Sequence, residues 1–226
     1  MARKVAGLSE DTIVPGQVRQ VIIAGWTGRD RAAQERHIAE LELLGVRRPP
    51  ATPVYYRVSA SRLTTSDSIE VTGSDSSGEV EFIMLHKGGA LWIGVGSDHT
   101  DRKVETYNIT VSKQMCEKPV APDVWLFDEL SGHWDSLMLR SWSVIGGDRR
   151  LYQEGLVSAM LHPRDLIAGY AWDGGSPSDS TVMFGGTLAA IGGIRPADRF
   201  EFELEDPVLK RRLAHGYDIR RLPVAG

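Results

Sequence analysis

Two glutamates lead into an apolar run, Ser77-Gly78-Glu79-Val80-Glu81-Phe82-Ile83-Met84-Leu85. On a strand, side chains two apart share a face, so Glu79 and Glu81 fall beside Ile83 and Leu85, while Val80, Phe82 and Met84 take the other face. A strand apolar on both faces is buried, and neighbouring carboxylates at its start then need compensation, which a hard divalent cation supplies. The other reading leaves both acids at an exposed strand start, facing water. A polar run, Ser97-Asp98-His99-Thr100-Asp101-Arg102, follows the next apolar stretch. An acid there adds a third oxygen ligand, a donor set that suits Mg2+ or Mn2+ better than zinc. The same run also reads as an ordinary Asx-type turn. His37 and Glu40 lie three apart on one helix face, where a histidine oriented by a glutamate can act as a general base on water. A solvated helix face explains that pair as well. Finally, Phe184-Gly185-Gly186-Thr187-Leu188-Ala189-Ala190-Ile191-Gly192-Gly193 offers backbone N–H groups to a carboxylate, or simply makes a tight connection between strands.

The elements that must position these groups are mostly strands. Twenty-four glycines and 11 prolines punctuate short runs rich in Val, Ile and aromatics, which predicts a mainly β (α+β) domain with a few short helices. Strands are expected at 17–24, 54–58, 68–71, 79–85, 90–95, 103–111, 124–127, 137–144, 151–154 and 198–204, with a hairpin turn over His86-Lys87-Gly88-Gly89. Thr27 with Asp30 fits a helix start, and Ile38, Leu41 and Leu44 recur at helical spacing before Gly45. A second helix is expected over 163–172, with proline in its first turn.

Composition bounds the rest. At 226 residues, with 42% apolar and 25% charged residues, the chain has ordinary globular usage, and one domain behind an N-terminal arm over 1–20 is expected. A net charge of −4 argues against nucleic acid as the main partner. The single cysteine, Cys116, forms no internal disulfide and belongs to no Cys/His zinc pattern. Apolar runs are far shorter than a bilayer span, and the first residues lack the apolar core of a signal peptide. The expectation is a cytoplasmic protein.

Taken in order, these pieces resemble the fumarylacetoacetate hydrolase superfamily, closest to a bacterial branch of it. Its lid motif, Gly-Arg-Asn-Tyr and then His-x-x-Glu, is similar to Gly28-Arg29-Asp30 followed by His37-Ile38-Ala39-Glu40. Its Glu-x-Glu metal strand looks like Glu79-Val80-Glu81, and its Asp-x-Ser-Ala-Arg turn is matched at Asp98 and Arg102. The family lysine corresponds to Lys113, and its carboxylate-binding loop to residues 185–192, with the first Thr and the Pro replaced.

The resemblance implies a mixed β-roll or β-sandwich over 21–226, with a lid helix at about 29–45 covering a metal cleft, and a homodimer. It implies Mg2+ or Mn2+ on Glu79, Glu81 and Asp98, and His37 with Glu40 acting on water. Lys113 would meet developing oxyanion charge, and Gly186, Thr187 and Arg102 would hold a substrate carboxylate. The implied function is metal-dependent hydrolysis or decarboxylation, cleaving a C–C bond in a small 2-oxo or 1,3-dicarbonyl acid through an enolate. Isomerisation or hydration of a related acid, and non-catalytic metal or ligand binding on the same fold, are the alternatives.

Overall fold

The computed structural model describes residues 10–43, 48–49, 51–172 and 177–225, without the side chains of Glu10, Ala33, His37, Ile38, Glu40, Leu41 and Leu43. In chain order the first half comprises β1 (Glu10–Thr12), β2 (Gln20–Gly25), α1 (Arg31–Leu43), β3 (Val54–Val58), β4 (Leu63–Thr64) and β5 (Ser68–Thr72). Next come β6 (Ser76–Ser77), β7 (Val80–Lys87), β8 (Ala90–Ser97), β9 (Thr100–Asp101), α2 (Arg102–Glu105) and α3 (Ile109–Met115). Then follow β10 (Lys118–Pro119), β11 (Asp123–Leu126), α4 (Phe127–Leu130), β12 (Met138–Ile145) and β13 (Asp148–Leu156). The chain closes with α5 (Pro163–Gly169), β14 (Thr181–Thr187), β15 (Arg199–Asp206) and β16 (Arg211–Leu222).

Two mixed sheets dominate. A seven-stranded sheet runs β1-β11-β8-β7-β14-β2-β3, and a five-stranded sheet runs β13-β12-β15-β16-β5. Phe82, Met84, Ile93 and Val95 from the first meet Leu139, Phe200, Phe202 and Tyr217 from the second in one buried core. The other face of the seven-stranded sheet buries Ile83, Leu85, Val182 and Phe184 against Val120, Val124 and Leu63. So β7 is buried on both faces, as its unbroken apolar run predicts. Gly88 and Gly89, with φ of 62° and 72°, close the β7–β8 hairpin in the left-handed region that a two-residue turn requires.

Several expected elements move. The expected strand over 103–111 is instead α2 and α3. Asp101 accepts a hydrogen bond from the Val104 N–H at 2.8 Å and Asn108 from the Val111 N–H at 3.0 Å, so side-chain caps win over the β-branched run between them. Lys113 therefore sits in a helix. The strand expected over 17–24 begins only at Gln20, as β2, because Pro15–Gln17 form a 3-10 turn. Thr27 caps no helix: α1 starts at Arg31, and the Thr27 carbonyl accepts from the Leu161 N–H at 2.7 Å. The glycine-rich segment begins as β14 and becomes a connection only after Thr187. Strand β16 goes unforeseen, since its face-to-face alternation is carried by arginines as much as by Leu213, Tyr217 and Ile219. Part of the expected arm is built into the sheet, where Glu10 to Thr12 pair with Asp123 to Trp125. The expected stop at Gly45 lies outside the described residues. Among the described residues, no helix is long and apolar enough to cross a membrane.

Candidate metal centre and cavity

The β7–β8 hairpin brings the acids together. Val80 pairs with Ser97, so one step further along each strand Glu79 and Asp98 lie opposite each other, joined by the Asp98 N–H to the Glu79 carbonyl at 3.0 Å. Carboxylate oxygens of Glu79, Glu81 and Asp98 all lie within 4.8 Å of one another. Glu81 and Asp98 are buried, and Glu79 is partly so. Three oxygen donors with no thiol or imidazole among them fit a hard divalent cation such as Mg2+ or Mn2+.

Glu81 is aimed by the neighbouring strand. The β7–β14 register shifts between Phe184 and Thr187, and at this bulge the Gly186 N–H donates to Glu81 Oε2 at 2.7 Å. Gly186 has φ of 101°, and a Cβ there would come within 1.7 Å of the Thr27 hydroxyl, so glycine is required on both counts. Thr187 donates to the Val80 carbonyl at 2.8 Å and accepts from Gln153 at 2.8 Å. The buried Gln153 also accepts from the Val80 N–H at 2.9 Å, which ties the start of β7 to the second sheet.

Asp98 is fully buried between two lysines. Lys118, itself fully buried, lies 2.9 Å from Oδ1, and Lys113 forms a buried ion pair with Oδ2. Burial alone would raise the Asp98 carboxyl, but Lys113 and Lys118 overcome it and hold it below the usual carboxylate range. Burial would likewise lower Lys113, yet Asp98, Glu79 and Glu81 hold it above the ordinary lysine range. Glu81 behaves differently. Burial, reinforced by Asp98 and Glu79, pushes it well above the usual range, against the pull of Lys113 and the Gly186 N–H. It is the ligand with most to gain from a cation.

Behind Asp98, the buried His99 places Nδ1 at 2.8 Å from the Tyr217 hydroxyl and Nε2 at 2.9 Å from Ser76 Oγ. The Tyr217 hydroxyl is also 2.8 Å from Ser97 Oγ. Burial, with Lys118 and Arg102 close by, lowers the His99 imidazole to about 3, so the ring is neutral. Arg102 donates from Nε to Ser77 Oγ at 2.7 Å and from Nη1 to Glu105 at 2.8 Å, and lies 3.2 Å from Glu79. Its buried Nη2, the atom 3.2 Å from Glu79 Oε1, has no aligned hydrogen-bond acceptor among the described residues.

Above this buried cluster lies a cavity of about 800 Å³. Glu79, Glu81, Arg102, Lys113, Gly186 and Thr187 all line it, and so do Trp26, Tyr56, Tyr152 and Gln153. Thus the structure brings the expected metal, lysine and carboxylate-binding residues to one place, although Gly186 points its N–H at Glu81. The side chains of His37 and Glu40 lie outside those described. Arg29 of the lid motif is not on the cavity wall; it forms a two-pronged pair with Asp135 at 2.8 and 2.9 Å. Sequence reasoning missed Lys118, His99, Tyr217 and Gln153. Lys118 stands 20 residues from its partner Asp98 with no local pattern to mark it.

The fold is that of the fumarylacetoacetate hydrolase superfamily. Yeast ynq8, a fumarylacetoacetate hydrolase family protein, matches with a TM-score of 0.64 and 16% identity over 93% of this chain and 96% of its own. A 2-keto-3-deoxy-D-arabinonate dehydratase complexed with magnesium and 2,5-dioxopentanoate matches with a TM-score of 0.63 and 17% identity, covering 92% of this chain and 74% of its own. The 2-hydroxyhepta-2,4-diene-1,7-dioate isomerase from Mycobacterium marinum gives 0.61 and 16%, covering 93% and 77%. No curated protein matches the sequence. The family described as "Protein of unknown function (DUF2848)" matches residues 24–217, and this chain belongs to it.

Proposed function

We propose that the protein is a Mg2+- or Mn2+-dependent enzyme that cleaves a C–C bond in a small 2-oxo or 1,3-dicarbonyl acid, by hydrolysis or decarboxylation. The observation that carries this reading is the convergence of Glu79, Glu81 and Asp98, the first two on the wall of a ligand-sized cavity and Asp98 buried beside them. The fold shared with enzymes of such acids, one of them solved with magnesium and a dioxo acid, supports it. A divalent cation on those three carboxylates supplies Lewis acidity toward the adjacent oxygens of a 2-oxo acid. The charge balance agrees. Glu79, Glu81, Asp98 and Glu105 face only three cations, Arg102, Lys113 and Lys118, so a dication and a monoanionic acid together leave the floor neutral.

In this reading Lys113, held on Asp98 at the cavity wall, meets negative charge that grows on the substrate oxygen as the bond breaks. Arg102 holds the substrate carboxylate together with Thr187, whose hydroxyl turns from the Val80 carbonyl to donate to it. His37, oriented by Glu40, takes the proton of the attacking water. The described wall of the cavity carries no histidine of its own. Dehydration or isomerisation, the chemistry named for two of the structural relatives, is therefore the second reading, with Lys113 as the proton-handling group. The reading also carries a cytoplasmic homodimer, which size exclusion with light scattering tests.

Turnover of a panel of 2-oxo and diketo acids with Mg2+ and with EDTA tests the proposal, alongside melting in both conditions. Metal-dependent cleavage and a higher melting temperature with Mg2+ are expected; identical melting curves sink it. His37→Ala is expected to slow hydrolysis about 10²-fold or more. Turnover within a few-fold of wild type would favour the second reading.

A further inference from the structure

The two ends of the cavity differ in chemistry. Every cation on its described wall, Arg102 and Lys113, stands at the carboxylate cluster. Away from it the wall is built from Trp26, Tyr56, Ile109, Tyr152, Leu188 and Ile194. Asp30 also lines the cavity, whereas Glu105, paired with Arg102 at 2.8 Å, belongs to the floor. Beside this wall, Arg195 stacks on Tyr152 with its guanidinium carbon 4.8 Å from the ring centroid. It donates to the carbonyls of Ile191 at 2.8 Å and Gly193 at 3.1 Å. A second carboxylate at this end would meet mostly aromatic and aliphatic surface, where among the described residues no cation lines the cavity.

The volume points the same way. About 800 Å³ is several times what a three- or four-carbon acid fills, and lies in the range of sites that enclose larger, mostly apolar ligands. The aromatic corner is also held in an unusual way. Trp26 is a non-glycine residue with φ of 58°, and its carbonyl accepts a hydrogen bond from Gln34 of α1. Residues kept in such conformations cluster where a site needs a side chain aimed in one direction. The Tyr56 ring centroid lies 5.8 Å from Lys113 Nζ, so the aromatic wall begins where the polar floor ends.

We infer that the substrate is a 2-oxo monocarboxylic acid with an apolar, aromatic or branched tail, the acid end lying at Glu79, Glu81 and Arg102 and the tail against Trp26, Tyr56 and Ile109. This rests on the function proposed above and narrows it: a second carboxylate is excluded, and a tailless acid leaves the outer cavity unfilled. Desolvating a ring against this wall favours the tailed acid by at least tenfold.

Calorimetric titration of the full chain with saturating Mg2+ tests this using three probes, namely pyruvate, 2-oxoglutarate and phenylpyruvate. Phenylpyruvate is expected to bind at least tenfold tighter than either of the others. Equal or tighter binding of 2-oxoglutarate overturns the inference while leaving a 2-oxo acid site in place. If Mg2+ binds but none of the three acids does, the proposed function falls and this inference with it. Ile109→Asp should then bring the phenylpyruvate-to-pyruvate affinity ratio to within about threefold of one, and an unchanged ratio overturns the tail assignment. Ile194→Asp, at a position 59% exposed, asks the same question from the rim should the first variant fail to fold.

Discussion

Around Asp98 the structure is closed and polar: Lys113, Lys118, His99 and Tyr217 are buried, and each has hydrogen-bond partners within the chain. Around Trp26 and Ile194 it is open and apolar, with side chains that face one another across partly exposed surface. The two regions share one cavity but answer to different physics. In the closed region a substitution strands a charge or a donor in a low-dielectric interior, so its first effect is on stability. In the open region little depends on any one group for folding, so a change there acts on what the cavity accepts.

The largest expected effect tests the closed half directly. Lys118→Met keeps much of the stem's packing but leaves Asp98 with one cation in a fully buried place, and should cost about 3–5 kcal/mol in urea unfolding. A loss below 1 kcal/mol would mean that Lys113 alone balances the carboxylate. Next is Glu81→Gln, which preserves an acceptor for the Gly186 N–H while removing charge that burial disfavours. It should leave the metal-free protein at least as stable as wild type. It should also abolish the gain from Mg2+, which for wild type is about 2.7 kcal/mol at a hundredfold excess over Kd. A metal response that survives this change would place the cation elsewhere. Tyr217→Phe removes the partner of both His99 and Ser97 and should destabilise by about 1–3 kcal/mol, without moving metal affinity by more than a few-fold. The smallest effect belongs to an exposed pair off the cavity wall, three residues along the chain from Trp26. Arg29→Ala breaks a pair whose members are 37% and 62% exposed, and should cost only about 0.2–1 kcal/mol, readable as a small drop in melting temperature. A drop as large as that of Lys118→Met would erase the distinction between the regions.

Legibility in the sequence follows the same division, for a local reason. The hairpin and its acids were readable because Gly88-Gly89 fixes a two-residue turn, and counting outward from it sets Glu79 against Asp98. The run Ile83, Leu85 beside Val80, Phe82, Met84 announced burial on both faces. What could not be read is what the chain brings in from far away. Lys118, Gln153 and Tyr217 are 20, 73 and 120 residues from the Asp98, Val80 and Ser97 that they contact, arriving on three different strands. The misreading of 103–111 had a local cause, since Val104, Ile109 and Val111 carry strand propensity that two single-residue caps outweigh. The charged faces of β16 hid a strand whose inward positions include Leu213 and Tyr217.

The burial of β7 on both faces also fixes a timescale. Amides at 82–85 have no surface from which to open, so their protons should exchange with solvent only when the whole domain unfolds. Glu79 and Glu81 are carried at the margin of that slowest unit, and Asp98 is joined to them through the hairpin's last rungs. A ligand entering or leaving therefore cannot be admitted by loosening the floor. It must pass by way of the rim, where Ile191 and Ile194 stand exposed. Mass spectrometry of deuterium uptake should accordingly show fast exchange at 188–195 set beside near-complete protection at 82–85 in the same molecule.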